Sequence, residues 1–190
     1  MIFPSSGGAI YGPSSLPIPE THPTNPVSSY GIVKLATEKY LELFRQQGGL
    51  DYVVLRYSNL YGERQAASPQ FGIVPTFLGR LAQGLPLEVL GDGVRDYLYV
   101  GDAVEATVKA MHQTGTFNVG TEIGTSVTEL IDVMQEVTGR QAEVVRLQAR
   151  PFDVPVNVLD ASRARQVLNW APEVSLRDGI KATWDWLIAT

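Results

Sequence analysis

A tyrosine and a lysine four residues apart are the pair in this sequence best suited to acid–base chemistry. Tyr30 and Lys34 stand in the stretch from Pro26 to Lys34, at the start of a helical pattern, so that spacing puts both side chains on one helix face. A phenol with a pKa of about 10 is a poor base at neutral pH, but a nearby ammonium stabilises the phenolate. Tyr30 is therefore a candidate general base, although the same spacing also occurs by chance on ordinary amphipathic helices.

A turn of small residues is the second candidate for chemistry. It runs from Ser5 to Gly12 and follows the short apolar stretch Met1 to Phe3. Such a turn can place a hydroxyl and backbone N–H groups beside Tyr30. It is equally compatible with a tight turn that simply requires small residues.

The elements that must position these residues have the order strand, helix, strand. Residues 1–3 are typical of the end of a buried strand, and residues 52–57 of a strand buried on both faces. Between them a helix is predicted over residues 29–47, ended by Gly48 and Gly49. Its apolar stripe consists of Val33, Ala36, Tyr40, Leu43 and Phe44. This βαβ order favours an α/β fold, in which chemistry lies beyond the carboxyl ends of the strands.

Shorter elements are predicted after Asn59. Capping residues define the helix starts, with Ser126 and Glu129 as a capping box. The predicted elements are a helix over 74–83, strands over 87–90 and 97–100, a helix from Asp102 to about 112, a strand over 116–119, a helix from Ser126 to Gly139, a strand over 142–147, and two closing helices capped by Asp160 and Ser175.

The amino-acid composition argues against several classes of function. The 190 residues, 44% of them apolar, are enough for a sizeable core, and a formal net charge of −5 argues against non-specific nucleic-acid binding and against an anionic membrane surface. The absence of cysteine excludes thiolate chemistry and disulfides. No apolar run approaches the length of a membrane span, and the two isolated histidines do not indicate a metal site. We therefore expect a soluble, cytoplasmic protein.

Four motifs occur in a fixed order and together carry a family resemblance. They run from Ser5 to Gly12, Pro26 to Lys34, Leu55 to Gly62 and Gly93 to Tyr97. With Asn118-Val119-Gly120 and Arg150-Pro151-Phe152-Asp153 near the end, they resemble the extended short-chain dehydrogenase/reductases. Within that superfamily, the chain is most similar to the NAD-dependent epimerase/dehydratase family, of the UDP-glucose 4-epimerase type.

The resemblance implies the C-terminal part of a doubly wound, Rossmann-like parallel sheet plus a small mixed α/β substrate-binding domain. Residues 1–60 would complete the NAD-binding domain, and 61–190 would be mostly the nucleotide-sugar domain, with about 96–120 returning to the Rossmann-like sheet. The family's Gly-x-x-Gly-x-x-Gly loop has no match here, so we expect the NAD-binding half to be absent from this chain. The resemblance also implies a homodimer formed through the Tyr30 helix.

The same resemblance implies roles at the reaction centre. Tyr30 would exchange a proton with the sugar 4-hydroxyl, and Lys34 would bind the nicotinamide ribose. Hydride would pass from sugar C4 to NAD and return on the other face of a 4-keto intermediate. Tyr57 and Ser58 would line the nicotinamide side. Many epimerases have a Ser or Thr where this chain has Gly7, so Ser6 would have to supply that hydroxyl.

Substrate-binding roles also follow from the resemblance. Asn59, Arg95 and Arg150 would bind the diphosphate of a UDP-sugar, since a guanidinium fork matches phosphate oxygens. Asp153 would bind a ribose hydroxyl, and the segment from Leu87 to Leu90 would pass the uracil ring. Each of these residues also has a structural explanation, because Arg95 and Asp96 could form a surface ion pair, Arg150 and Asp153 a helix-turn pair, and Asn59 a turn.

Departures from the family pattern leave the substrate and the reaction open. The turn lacks the Thr-Asp-Glu sequence of 4,6-dehydratases, Val33 precedes Lys34 where Ser is common, and Glu88 stands near the expected uracil position. The alternatives are a non-catalytic nucleotide-sugar-binding fragment, or another NAD-dependent nucleotide-sugar enzyme, namely a decarboxylase, a 4-ketoreductase or a dehydratase. The missing Thr-Asp-Glu sequence argues against the dehydratase.

Overall fold

A computed structural model of the chain describes residues 1–14, 17–68, 72–148 and 154–190. The strands of this part of the chain are β1 (Ile2–Ser6), β2 (Val53–Tyr57), β3 (Asn59–Tyr61), β4 (Leu87–Leu90), β5 (Val94–Tyr99), β6 (Gly115–Val119), β7 (Gly124–Ser126), β8 (Val144–Leu147) and β9 (Val156–Asn157). The helices are α1 (Gly7–Ile10), α2 (Ser29–Gly48), α3 (Ile73–Gln83), α4 (Val100–Lys109), α5 (Val127–Thr138), α6 (Ser162–Leu168) and α7 (Leu176–Ala189).

The first sheet is parallel and has the order β1-β2-β6. Every residue of the central strand β2 is buried, as its continuous apolar run predicts. One face packs Leu55 and Phe117 onto α4, α6 and the buried Trp170. The other face presents Arg56 to α2. Alternation along β2 thus gives an apolar core on one side and a polar contact on the other.

A second group of strands and helices forms its own core. Strands β3, β5 and β7 make one sheet, to which β9 adds, and β4 pairs with β8. Helices α3, α5 and α7 cover these strands through side chains such as Leu78, Leu130 and Trp184. In β4, Leu87 and Val89 point into this core while Glu88 and Leu90 are exposed.

Helix α2 has nearly the predicted bounds, but its apolar stripe faces outward. The Ser28 hydroxyl caps its start by accepting from Gly31 N at 3.1 Å, and Gly49 ends it with φ 69°. Val33 is 64% exposed and Phe44 52%. The buried side of α2 consists of Gly31, Glu38 and Leu41. Periodicity therefore located the helix correctly, while another surface of it contacts the sheet.

Two predicted caps are wrong, and others are confirmed. Helix α4 begins at Val100, so Asp102 lies in its first turn, where its buried carboxylate accepts from the backbone N–H groups of Glu173 and Val174 instead. Asp160 lies one residue before the N-cap of α6 and accepts from Ser162 N. Packing brings distant backbone groups to Asp102, whereas the contact of Asp160 is local and satisfies the first backbone N–H of α6.

The confirmed caps are those of α5 and α7. Ser126 and Glu129 form the reciprocal capping box of α5, which Gly139 ends, and Ser175 caps α7. Among the described residues, no helix combines the length and apolar character needed to cross a bilayer.

Candidate active site

A cleft of about 970 Å³ opens where the carboxyl ends of β1 and β2 meet the second group of strands. Consecutive segments from both groups line it. Eight of the predicted site residues do so: Ser6, Tyr30, Lys34, Tyr57, Ser58, Asn59, Leu90 and Arg95. Residues far apart in the chain are thus brought to one surface by the parallel strands.

Lys34 joins the end of β1 to the candidate base. Its Nζ donates to the Pro4 carbonyl oxygen at 2.7 Å and lies 5.6 Å from the centre of the Tyr30 ring. Tyr30 itself is 56% exposed, so its phenol is accessible from the cleft. The ammonium is therefore held beside the phenol by a backbone contact and not only by their spacing along the helix.

Gly31 explains how α2 can approach the small-residue turn. A Cβ at this position would lie 2.3 Å from the backbone oxygen of Ala9 in α1 and 2.9 Å from the Pro26 side chain. No side chain fits that contact. The glycine after Tyr30 therefore fixes the close packing of the Tyr30 turn onto α1.

The turn presents Ser6, and not residue 7, to the cleft. Ser6 lines the cleft, while Gly7 is buried and a Cβ on it would lie 2.6 Å from the Leu159 side chain. A Cβ on Gly8 would lie 3.8 Å from both the Ser6 hydroxyl and the Asn59 amide oxygen. Gly8 thus leaves a small open face, flanked by the Ser6 and Asn59 side chains.

The segment leaving β2 contributes three consecutive residues with different environments. The Tyr57 hydroxyl lies 2.6 Å from that of Thr107, and burial raises the pKa of Tyr57. Ser58 is buried, and its hydroxyl has no hydrogen-bond partner within the described part of the chain. Asn59 donates to the Asp96 carbonyl oxygen at 3.2 Å.

Tyr97 is the third tyrosine of the cleft, and burial raises its pKa to about 12. At neutral pH a phenol with such a pKa is protonated, as is that of Tyr57. Neither is suited to act as a base. Among the tyrosines that line the cleft, Tyr30 is the exposed one, which leaves it as the candidate for proton transfer.

The adjacent side chains of Arg95 and Asp96 lie in different environments. Asp96 is fully buried and accepts from Thr121 N, the Thr121 hydroxyl and Glu122 N, and burial raises its pKa. A Cβ on Gly120 would lie 2.4 Å from this carboxylate. Arg95 instead lines the cleft, where its guanidinium donates to the Val94 carbonyl oxygen at 2.9 Å.

Some predicted residues are not brought into the cleft. Leu87 is fully buried in the core formed by α3, α5 and α7, because β4 alternates and only Glu88 and Leu90 face outward. Its side chain therefore does not line the cleft, and its place beside the uracil stays a prediction. Arg150 and Asp153 lie outside the described residues.

One contribution to the cleft was missed from the sequence. The first turn of α3, from Ile73 to Phe77, lines it, and the backbone N–H groups at a helix start favour anionic ligands. Gly72 precedes this helix with φ 117°. In the sequence, this helix start was indicated by a glycine directly before an apolar helical pattern.

Parallel strands whose carboxyl ends meet a Tyr-x-x-x-Lys helix define an α/β protein of the Rossmann-like dehydrogenase class. The model of the NAD dependent epimerase/dehydratase family matches residues 1–120. This chain belongs to that family.

Individual relatives agree with the family match. A putative UDP-glucose 4-epimerase of Methanocaldococcus jannaschii is 38% identical over 98% of this chain and 62% of its own length. A dTDP-4-dehydro-6-deoxyglucose reductase of Escherichia coli is 34% identical over 96% of this chain and 58% of its own length. The chain therefore spans about three fifths of the length of these relatives.

Solved structures show the same fold. The UDP-glucose 4-epimerase of Thermotoga maritima, crystallised with UDP-glucose, superposes with a TM-score of 0.93 at 43% identity, over 99% of this chain and 63% of that one. The UDP-glucose 4-epimerase of Thermus thermophilus, in complex with NAD, gives 0.91 at 38% identity, over 98% and 63%. The mixed α/β architecture is thus that of Rossmann-like epimerases.

Proposed function

We propose that this chain supplies the proton-transfer and substrate-binding part of an NAD-dependent enzyme that epimerises a UDP-hexose at C4 through a transient 4-keto intermediate. The observation that carries the proposal is the accessible Tyr30 phenol, with the Lys34 ammonium held beside it by the Pro4 carbonyl oxygen at 2.7 Å. The family relationship supports the same reaction class.

In this proposal, Tyr30 takes the proton from the sugar 4-hydroxyl and returns it when the hydroxyl is re-formed. Lys34 stabilises the phenolate by its charge and orients the nicotinamide ribose. Ser6 donates a hydrogen bond to the same sugar oxygen. All three side chains line the cleft from β1 and α2.

The cleft residues fit the nicotinamide end of NAD. The buried Ser58 hydroxyl has no partner among the described residues and borders the cleft, as expected of a group that binds a ligand amide. Tyr57 packs beside it. When bound, NAD supplies the oxidation and re-reduction of the sugar carbon. The pyrophosphate end would be held by residues outside this sequence, since residues 1–190 have no Gly-x-x-Gly-x-x-Gly loop.

The UDP part of the substrate would lie on the side of the cleft opposite to the nicotinamide. We assign Arg95 and Asn59 to the diphosphate, together with the first turn of α3, because all three offer donors to phosphate oxygens. Leu90 would contact the uracil ring. Arg150 and Asp153 stay predictions from the resemblance.

The domain division and the dimer are further parts of this proposal. Residues 1–60, with about 96–120, would belong to the NAD-binding domain, and most of 61–190 to the substrate domain. The outward apolar stripe of α2, represented by Val33, Tyr40 and Phe44, would pack against a second copy, because exposed apolar patches mark association surfaces.

The test of the function is complementation. The 190-residue chain is mixed with the dinucleotide-binding half of a relative, and conversion of UDP-glucose to UDP-galactose is measured. Activity is expected in the mixture, and Tyr30→Phe should lower it about 10²- to 10⁴-fold. Tyr40→Phe, on the exposed side of the same helix, is the matched control and should retain activity. Equal activity of the two variants would refute the role of Tyr30.

A reductase of a 4-keto nucleotide sugar is the second candidate. Gly7 stands where many epimerases have a hydroxyl-bearing side chain, a Cβ there would lie 2.6 Å from the Leu159 side chain, and one relative is named a reductase. In the complemented mixture, stoichiometric consumption of NADH with a 4-keto sugar nucleotide, without epimerisation, would favour this candidate over the epimerase. A chain that binds UDP-glucose but shows neither reaction would be a non-catalytic binding fragment.

A further inference from the structure

Glu38 is a buried carboxylate on the side of α2 that contacts the sheet. It is 7% exposed and lies two helical turns beyond Tyr30 and one beyond Lys34, so the three side chains follow one side of the helix. The helix otherwise buries Gly31 and Leu41 there. Of the three buried residues that attach α2 to the sheet, one is therefore the charged Glu38.

The partners of Glu38 come from both neighbouring strands. Its two oxygens accept from Arg56 Nη2 at 2.6 Å and from Arg56 Nε at 3.1 and 3.2 Å, a two-point contact with a guanidinium on β2. The Ser5 hydroxyl of β1 donates to the same carboxylate at 2.5 Å. Arg56 and Ser5 are buried as well, so water does not screen these contacts.

These partners lie at the edge of the cleft, which Ser5 itself lines and which Arg56 directly precedes along its strand. Ser5 stands before Ser6, and Arg56 before Tyr57. Pro4, whose carbonyl oxygen holds Lys34, is the residue before Ser5. One carboxylate therefore connects α2 to both strands at the point where each delivers a side chain to the cleft.

Arg56 extends the connection to the small-residue turn and to β6. Its Nη1 donates to the Tyr11 hydroxyl at 2.8 Å, and that hydroxyl donates to Asn118 Oδ1 at 2.7 Å. The guanidinium also lies 5.1 Å from the centre of the Tyr11 ring. Three strands, the turn and α2 are thus joined through one buried guanidinium.

We propose that Glu38 is a positioning residue, whose ion pair with Arg56 sets the rotation of α2 about its axis and so determines where Tyr30 and Lys34 meet the cleft. Apolar packing is non-directional and leaves such a rotation loosely defined, whereas a two-point charged hydrogen bond defines it. The inference rests on the proposed function only in taking Tyr30 and Lys34 as the reacting pair.

The test uses the side chain of Lys34 as a reporter in the 190-residue chain, without cofactor or sugar. Glu38→Gln is compared with Leu41→Ala, which weakens the packing of the same buried side without touching the ion pair. The rate at which an acylating reagent modifies Lys34 is measured by mass spectrometry, with the exposed Lys39 as internal reference. The ¹H–¹⁵N signal of the Lys34 ammonium is followed in parallel.

Glu38→Gln is expected to raise the Lys34 rate about threefold or more and to remove its ammonium signal, while Leu41→Ala leaves both unchanged despite lower stability. If Glu38→Gln does not fold, Arg56→Lys, which keeps the charge but loses the fork, should give the same change. An unchanged Lys34 rate, or an equal increase in Leu41→Ala, would overturn the proposal. Failure of the complementation assay would instead count against the function alone.

Discussion

At the scale of single residues, the cleft depends on positions that carry no side chain as much as on those that carry one. Gly31 and Gly7 both lie where a Cβ would collide with neighbouring atoms, and Gly8 leaves an open face beside Ser6 and Asn59. The short distances between α1, α2 and β3 follow from these positions. Small residues around Tyr30 are therefore part of the site's construction.

Gly31→Ala is expected to destabilise the chain by about 1–3 kcal/mol, because the new Cβ would meet the Ala9 backbone oxygen, which cannot move aside as a side chain can. Gly48→Ala, in the last turn of the same helix, meets nothing within 4 Å and should be neutral or stabilise by up to about 1 kcal/mol. Urea unfolding measures both. Equal effects would show that Gly31 matters only through helix propensity.

At the scale of the element, α2 turns its apolar stripe away from the sheet and its less apolar side toward it. Its sheet side carries a glycine, a carboxylate and a leucine, while Tyr40, Leu43 and Phe44 face outward. A helix in a soluble protein normally buries such an apolar stripe. In the proposed function, this stripe packs against a second copy of the chain.

Phe44→Glu is expected to convert a dimer of this chain into a monomer without unfolding it, because Phe44 is 52% exposed and a buried charge at the interface would be unpaired. Sedimentation velocity reports the oligomeric state. Val108→Glu, at an exposed apolar position of α4, is the matched control and should leave the dimer intact. A monomeric parent chain would refute the α2 dimer.

At the scale of the whole molecule, two cores meet at one cleft. The core around β2 and β6 supplies Tyr57 and Ser58, and the core around α3, α5 and α7 supplies the turn of α3 and the strand carrying Arg95. In the proposed function, the cleft between them binds the nicotinamide on one side and the diphosphate on the other.

The isolated chain is expected not to bind NAD measurably, because no pyrophosphate loop occurs in residues 1–190. It is expected to bind UDP-glucose no more tightly than about 100 μM, because among the described residues only Arg95, Asn59 and the first turn of α3 are assigned to the diphosphate. Isothermal calorimetry measures both. Arg95→Ala should weaken the residual UDP-glucose binding further, which separates cleft binding from non-specific heat. Sub-micromolar NAD binding by this chain alone would contradict the proposed division of the site.

The longer helices and strands could be predicted in their order, since they depend on local patterns. The short helix α1 and the short strands β3, β7 and β9 were not predicted. Ser126 with Glu129 and Ser175 indicated helix starts correctly because capping acts within one turn. The outward face of α2, the core position of Leu87 and the real partners of Asp102 could not be predicted. Each of these depends on which surface a distant part of the chain covers, and periodicity does not contain that information.

The sequence by itself determined the chemistry that this protein can offer. The four-residue spacing of Tyr30 and Lys34 puts them on one helix face because helix geometry is local, and the ordered motifs identified the family. The tertiary structure alone decided how that pair is held. Glu38 contacts Ser5, 33 residues away, and Arg56, 18 residues away, and contacts over such separations are set by packing of the whole fold. The spacing of Tyr30 and Lys34 is thus set locally by helix geometry. The position of these two side chains over the cleft depends on the buried ion pair of Glu38 and Arg56, which no local pattern indicates.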